Sequence, residues 1–203
     1  TMNGPHKVVK NLLMSLDQEK IEYAINEEKY EHNFLLQYND IAHEKHSKIE
    51  LDTCIIGPQV WLFDTYGQFL IEHQDYYKKM IAPSQWVKDK FITKFNLPEN
   101  KISVWPVGIE TFNNKRDITY DCLIYFKRRD QKELDAVKQF LDNKNLTYKM
   151  VEYGGYGEDG FKNLVNQAKF CFLINGTESQ GIAVQEIMSM GVPIIAWDIK
   201  EWL

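Results

Sequence analysis

The chain has 203 residues, with 24 Lys and Arg against 29 Asp and Glu and a formal net charge of −5. A duplex-binding protein would carry a basic excess or stripe, and no apolar run reaches the ~20 residues of a membrane span, so neither nucleic acid nor a membrane interior is expected as a partner. Cys54, Cys122 and Cys171 fall in stretches that read as strands, and no signal-peptide pattern opens the chain; an odd number of cysteines so placed points to buried free thiols in a reducing, cytoplasmic setting.

Asn3-Gly4-Pro5 reads as a helix start, with Asn3 as cap and Pro5 in the first turn. Val8, Val9, Leu12, Leu13 and Leu16 give that helix its apolar stripe. Ile21 to Ile25 reads as a short strand, and Phe34 to Tyr38 fits either type of element. Ala42 to Glu50 is charged and reads as a solvated loop. Its His43 and His46 lack the i, i+4 spacing with an intervening Glu that a helical metalloprotease pair needs, so no metal is expected there.

Leu51 to Ile56 is a strand ended by Gly57-Pro58, and Trp61 to Gln74 a helix despite Gly67. Lys79 to Ala82 is a strand, and Ser84 caps a helix carrying Trp86, Val87, Phe91 and Phe95. Leu97-Pro98 ends that helix, and Ile102 to Trp105 is the next strand. Glu110 to Thr119 is polar and aperiodic and reads as a linker, which divides the chain into 1–112 and 113–203.

Tyr120 to Phe126 opens the second half as a strand, with Lys127-Arg128-Arg129 at its carboxyl end. Lys132 opens the helix marked by Leu134, Val137, Phe140 and Leu141. Tyr148 to Glu152 runs into a loop where Gly155, Gly157 and Gly160 form G-x-G-x-x-G. That spacing cradles dinucleotide phosphates when it follows the first strand of a domain, and Glu178 lies about where a ribose-binding acid would be sought. Here the motif follows the second strand. An NAD-dependent oxidoreductase using the Gly155 loop is therefore the rival reading.

Phe170 to Ile174 is a buried strand broken by Asn175-Gly176. Glu178 sits in the loop, and a helix opens near Gln180 to Ile182, with Ala183, Val184, Ile187, Met188 and Met190 on its apolar face. Gly191 caps it, Pro193 prevents it continuing, and Val192 to Ala196 is a strand. Strand and helix alternate throughout, which is how parallel sheets are built. The small residues Ser179 and Gly181 leave N–H groups at the helix start open to an anion. Glu178 and Glu186 beside such a site suit sugar hydroxyls. The alternative is that neither binds a ligand, Glu178 complementing the helix dipole and Glu186 being a solvated helix residue.

Strand, Gly, Glu, seven residues, Glu, then Gly-Val-Pro and a strand resembles the E-x7-E signature of GT-B glycosyltransferases, in particular the mostly retaining group 1, or family 4, enzymes. IAPSQWVKDKF through KISVWPVGIE resembles the end of the N-terminal lobe of the same enzymes. The resemblance implies an α/β fold of two facing Rossmann-like lobes, an acceptor side in 1–112 and a nucleotide-sugar side in 113–203, with a cleft between them. It places Gly4 near the donor diphosphate and Gly155 near the nucleotide base. It gives Lys127 and Lys132 to the diphosphate, although the family usually has Arg at the first position and Gly where Phe126 stands. Whether Lys127 or Arg128 takes that role stays open. Glu178 would hold the donor sugar, Glu186 the ribose, and Ser179, Gly181 and Ile182 would line the donor site.

The expected activity is transfer of a sugar from a nucleotide-diphosphate donor, with retention and with neither metal nor cofactor. No Asp-x-Asp motif lies at a strand end. The acceptor, whether sugar, lipid or protein, is not specified, and peripheral membrane association stays open. The chain is expected to lack a strand before Gly4 and elements after Leu203 that such enzymes have, so a non-catalytic nucleotide-sugar-binding fragment is a further alternative.

Overall fold

The computed structural model describes residues 4–26, 32–46, 53–112 and 115–197. It divides into two compact units, Val8–Gly108 and Thr1–Lys7 with Ile109–Leu203. The architecture is α/β, and each unit has its own four-stranded parallel sheet of Rossmann-like form.

Helix α1, Gly4–Gln18, carries the expected stripe and buries Val8. It closes with Lys20 in left-handed backbone (φ 56), while Ile21 N donates to Leu16 O and Lys20 N to Asp17 O. The strand expected at Ile21 to Ile25 is not formed. Ile21 and Ile25 are 53% and 59% exposed, and among the described residues the segment has no ladder partner and no core for its side chains to enter. Strand β1, Asn33–Leu35, makes only the start of the Phe34 to Tyr38 stretch extended, and a bend follows at Leu36-Gln37.

The loop expected from Ala42 begins instead as helix α2, Asp40–His46, and residues 47–50 lie outside those described. Asn39 starts that helix by accepting the Ala42 N–H at 3.0 Å. His43 holds it in place, packing its ring against His73 and Tyr76 and hydrogen-bonding Tyr38 Oη at 2.8 Å. Strand β2 is Cys54–Ile56, with Leu51 and Asp52 outside the described residues.

Helix α3, Asp64–Glu72, is shorter than the expected Trp61 to Gln74, because Phe63 is still extended. Gly67 lies within it for a packing reason: a Cβ there would sit 2.2 Å from the Phe95 ring of the neighbouring helix. Strand β3, Lys79–Ala82, leads to that helix, α4, Gln85–Phe95, with Ser84 as its N-cap residue and Asn96 in left-handed backbone at its end. Strand β4, Ile102–Val104, completes the sheet in the order β1-β2-β3-β4. Ile56, Met80, Val87, Phe91, Leu97 and Ile102 form its core.

The other unit is doubly wound. Strand β5, Tyr120–Lys127, is followed by helix α5, Gln131–Asn143, strand β6, Tyr148–Glu152, and helix α6, Glu158–Gln167. Strand β7, Ala168–Asn175, helix α7, Ile182–Ser189, and strand β8, Ile194–Ala196, complete it in the order β6-β5-β7-β8. On one face Cys122, Ile124 and Phe126 pack with Leu134, Val137 and Leu141 of α5. On the other, Leu123 and Tyr125 pack with Phe161, Val165 and Ile187 of α6 and α7. Burial on both faces explains why β5 is apolar at nearly every position. Gly191 (φ 71) ends α7 as expected, with Val192 N donating to Ile187 O and Gly191 N to Met188 O.

Candidate nucleotide-sugar site

Strand β5 pairs with β6 on one edge and β7 on the other, so its crossovers leave on opposite faces of the sheet. In an open parallel sheet such a reversal opens a crevice beyond the carboxyl ends of the strands, where ligands bind. Lys127 ends β5 and Asn175 ends β7, and the two are register partners. The crevice therefore begins at this pair.

Three residues shape its floor. Arg128 turns the chain with left-handed backbone (φ 51). Gly176 passes beneath it, where a Cβ would lie 3.1 Å from Arg128 O, and its N–H donates to Lys127 O at 3.0 Å. Arg129 forms a two-pronged ion pair with Glu133 and donates from Nη1 to Asn175 O at 3.0 Å and to Trp197 O at 3.4 Å. It thus fixes the end of β7 from the neighbouring loop, and its guanidinium holds the Glu133 carboxyl below the usual carboxylate range.

Lys127 is only 8% exposed. Its Nζ donates to Glu178 Oε1 at 2.6 Å and lies 4.2 Å from the centre of the Tyr153 ring. Asn175 Nδ2 donates to the same Glu178 oxygen at 2.9 Å. The Glu178 side chain keeps 25% of its surface exposed. Two nearby polar atoms, Asn175 Oδ1 and Gln180 Nε2, are buried without a protein partner. The loop from Gly176 reaches α7 at Gly181, whose left-handed backbone (φ 62) turns the chain into the helix at Ile182.

Glu186 lies one turn into α7. It is buried rather than solvated, and Lys7 Nζ donates to its two carboxylate oxygens at 2.6 and 2.9 Å. Below, Tyr125 Oη and Tyr156 Oη approach to 3.4 Å. Burial, then the neighbouring Tyr156 hydroxyl and the charge of Glu178, push the Tyr125 phenol far above its ordinary range. Burial also raises Tyr156, with the charges of Glu186 and Glu178 adding to it. Both are hydroxyl donors at neutral pH.

The residues expected at a donor site do not all converge. Lys127, Glu178 and the start of α7 come together, and Arg128 is exposed beside them, 5.9 Å from the Tyr153 ring. Lys132 lies in the first turn of α5, where its N–H takes the Asp130 cap at 2.9 Å and its side chain is exposed. Gly4 is the first residue of α1, in open space, and Lys7 one turn on is what reaches Glu186. Gly155 turns the chain after β6, Gly157 is the N-cap residue of α6, and Gly160 lies inside that helix. Since β6 lies at an edge of the strand order, the glycine motif sits to one side of the β5–β7 reversal. Sequence reading missed Lys7, Asn175, Arg129, Tyr153 and Tyr156. Only Arg129 carried a local signal, its i, i+4 spacing to Glu133.

Carboxylates, ammonium groups and a helix start at one strand reversal can bind a ligand that is both anionic and rich in hydroxyls. Among the described residues no helix is long and apolar enough to cross a membrane. No family profile and no curated sequence matches the chain. Among solved structures it is similar to a mutant of S. aureus TarM in complex with fondaparinux, alpha-GlcNAc-glycerol and UDP, at 15% identity and a TM-score of 0.50, over 82% of this chain and 46% of that one. It is also similar to a GtfA/B complex bound to UDP and GlcNAc, at 14% identity and a TM-score of 0.42, over 91% of this chain and 45% of that one. The chain thus spans less than half the length of either. The likeness to TarM is one of fold, and this chain has two parallel Rossmann-like sheets.

Proposed function

We propose that the chain binds a nucleotide-diphosphate sugar and transfers the sugar to an acceptor, with retention and without metal. The observation that carries this reading is the meeting of Lys127, Glu178 and the α7 start at the β5–β7 reversal. It rests also on the E-x7-E resemblance and on UDP in the TarM structure whose fold is shared. Glu178 would take hydroxyls of the donor sugar and Glu186 those of the ribose. Lys127 or Arg128, with Lys132, would offset charge on the diphosphate.

In the reaction the bond from the anomeric carbon to the diphosphate oxygen breaks as a bond to the acceptor oxygen forms. The acceptor proton passes to the leaving phosphate on the same face. Charge grows on that phosphate, and fixed cations with helix N–H groups stabilise it. The buried free thiols of Cys54, Cys122 and Cys171 suit a reducing compartment such as the cytoplasm.

Thermal melting tests the reading. UDP or another nucleoside diphosphate should raise the melting temperature and NAD(H) should not, because a ligand of the native state stabilises it by mass action. Transfer should also persist in EDTA. Stabilisation by NAD(H) alone would favour the oxidoreductase alternative, and activity lost to EDTA and restored by Mn²⁺ would remove the metal-independent mechanism.

A further inference from the structure

The proposed roles send Lys127 to a phosphate and Glu178 to a sugar, yet the two side chains are bound to each other. The Nζ–Oε1 distance is 2.6 Å, and Asn175 Nδ2 holds that oxygen from the other side at 2.9 Å. Lys127 is the less mobile partner, being 8% exposed and seated on the Tyr153 ring. Glu178 sits on a loop with a quarter of its side chain exposed, which leaves it room to change partners. Beside them Asn175 Oδ1 and Gln180 Nε2 are buried without a partner among the described residues, polar atoms that a hydroxyl-bearing ligand can satisfy.

We propose that Glu178 is an intramolecular competitor of the diphosphate for Lys127, and so makes the site prefer a sugar-bearing donor over the bare nucleoside diphosphate. This rests on the reading of the crevice as a nucleotide-sugar site. When a donor binds, its sugar hydroxyls give Glu178 new partners, and the carboxylate releases Lys127 to the phosphate. When the sugar has left, Glu178 loses those partners and returns to Lys127. The carboxylate then opposes the remaining diphosphate by like charge and by occupying its cation. One residue thus favours donor capture and speeds product release. A glutamate that only contacted sugar would leave the affinity for a sugar-free nucleotide untouched.

The test is calorimetric titration of the wild-type chain and of Glu178→Gln with UDP, GDP and ADP, continued with whichever binds most tightly. Glu178→Gln keeps the size and removes the charge, so affinity for the bare diphosphate should rise about two- to fivefold, the range of a partly exposed ion pair. Lys127→Gln combined with Glu178→Gln should abolish that gain. Asn175→Ala frees the same carboxylate without removing it, and should tighten the nucleotide in the same direction but less. It also serves if Glu178→Gln does not fold. If the nucleotide binds the wild-type chain and both variants bind it equally or more weakly, the competition is refuted while the nucleotide site stands. If neither the wild-type chain nor Glu178→Gln binds any of the three, the nucleotide-sugar reading itself falls.

Discussion

Glu186 shows what a single buried charge demands. An acidic side chain in a helix of a protein this size is ordinarily solvated, but here Lys7 meets it, and the two side chains are 13% and 9% exposed. Charges this dry are stable only together, because removing one partner leaves the other without compensation, at about 3–5 kcal/mol in a fully dry site and somewhat less here. Lys7→Gln and Glu186→Gln should each lower the melting temperature, and the double variant should fall by less than the sum of the two. Additive losses would mean that the pair is not coupled. Glu186→Gln should also weaken binding of a bare nucleoside diphosphate, which lacks the donor sugar but keeps the ribose that Glu186 is proposed to hold. The neighbouring pair differs. Glu178 is more exposed than Glu186, which suits a residue that exchanges partners.

The elements owe their placement to small residues as much as to apolar ones. Helix α3 lies against α4 because Gly67 leaves room for the Phe95 ring, which would meet a Cβ at 2.2 Å. Gly67→Ala improves helix propensity by about 1 kcal/mol in isolation. In this packed interface it should instead destabilise, by roughly 1–3 kcal/mol from overpacking. Urea unfolding measures the sign, and a stabilised variant would show that α3 and α4 are further apart than the structure has them. In the other unit Gly176 does similar work, allowing the end of β7 to pass under Arg128 so that Asn175 and Glu178 face Lys127.

For the whole chain, burial of thiols and phenols sets the response to alkali. Burial pushes the Cys122 and Cys171 thiols up to about 12 and Cys54 up to about 11. In an unfolded chain a thiol ionises near ~8.5. The folded chain therefore keeps protons that the unfolded chain has lost as pH rises beyond that value. The contribution is fully present below about pH 8.5 and is lost as pH rises through the folded values, by up to about 1.4 kcal/mol per unit for each thiol. Buried Tyr125, Tyr77 and Tyr66 shift in the same direction through desolvation. The urea midpoint should thus be flat from pH 7 to 8 and decline clearly by pH 10. Native protein at pH 8 should react with a thiol reagent only as fast as it unfolds. Fast labelling of all three cysteines would contradict their burial.

Local chemistry made much of this molecule readable in advance. Strands β3 and β6 fall where apolar or β-prone runs are bounded by breakers; Gly191 ends α7 because few other residues tolerate its left-handed backbone, and Pro193 cannot continue a helix because it lacks an N–H. The α/β class follows from alternation alone, and the three cysteines are buried and free, as strand interiors would have them. Weak local signals misled where tertiary contacts outweigh them. Helix α2 is polar and short, and it exists because Asn39 caps it and His43 finds an aromatic pocket. Ile21 to Ile25 has strand-like residues but, among the described residues, no neighbour to pair with.

The site divides the same way. The E-x7-E spacing is visible because both glutamates belong to one loop-helix segment. Their partners are far away in sequence: Lys127 is 51 positions from Glu178 and Lys7 is 179 from Glu186. Nothing in the residues around either glutamate states that β5 runs between β6 and β7. That order creates the reversal where Lys127 and Asn175 become neighbours, and only packing of helices on both faces of the sheet selects it.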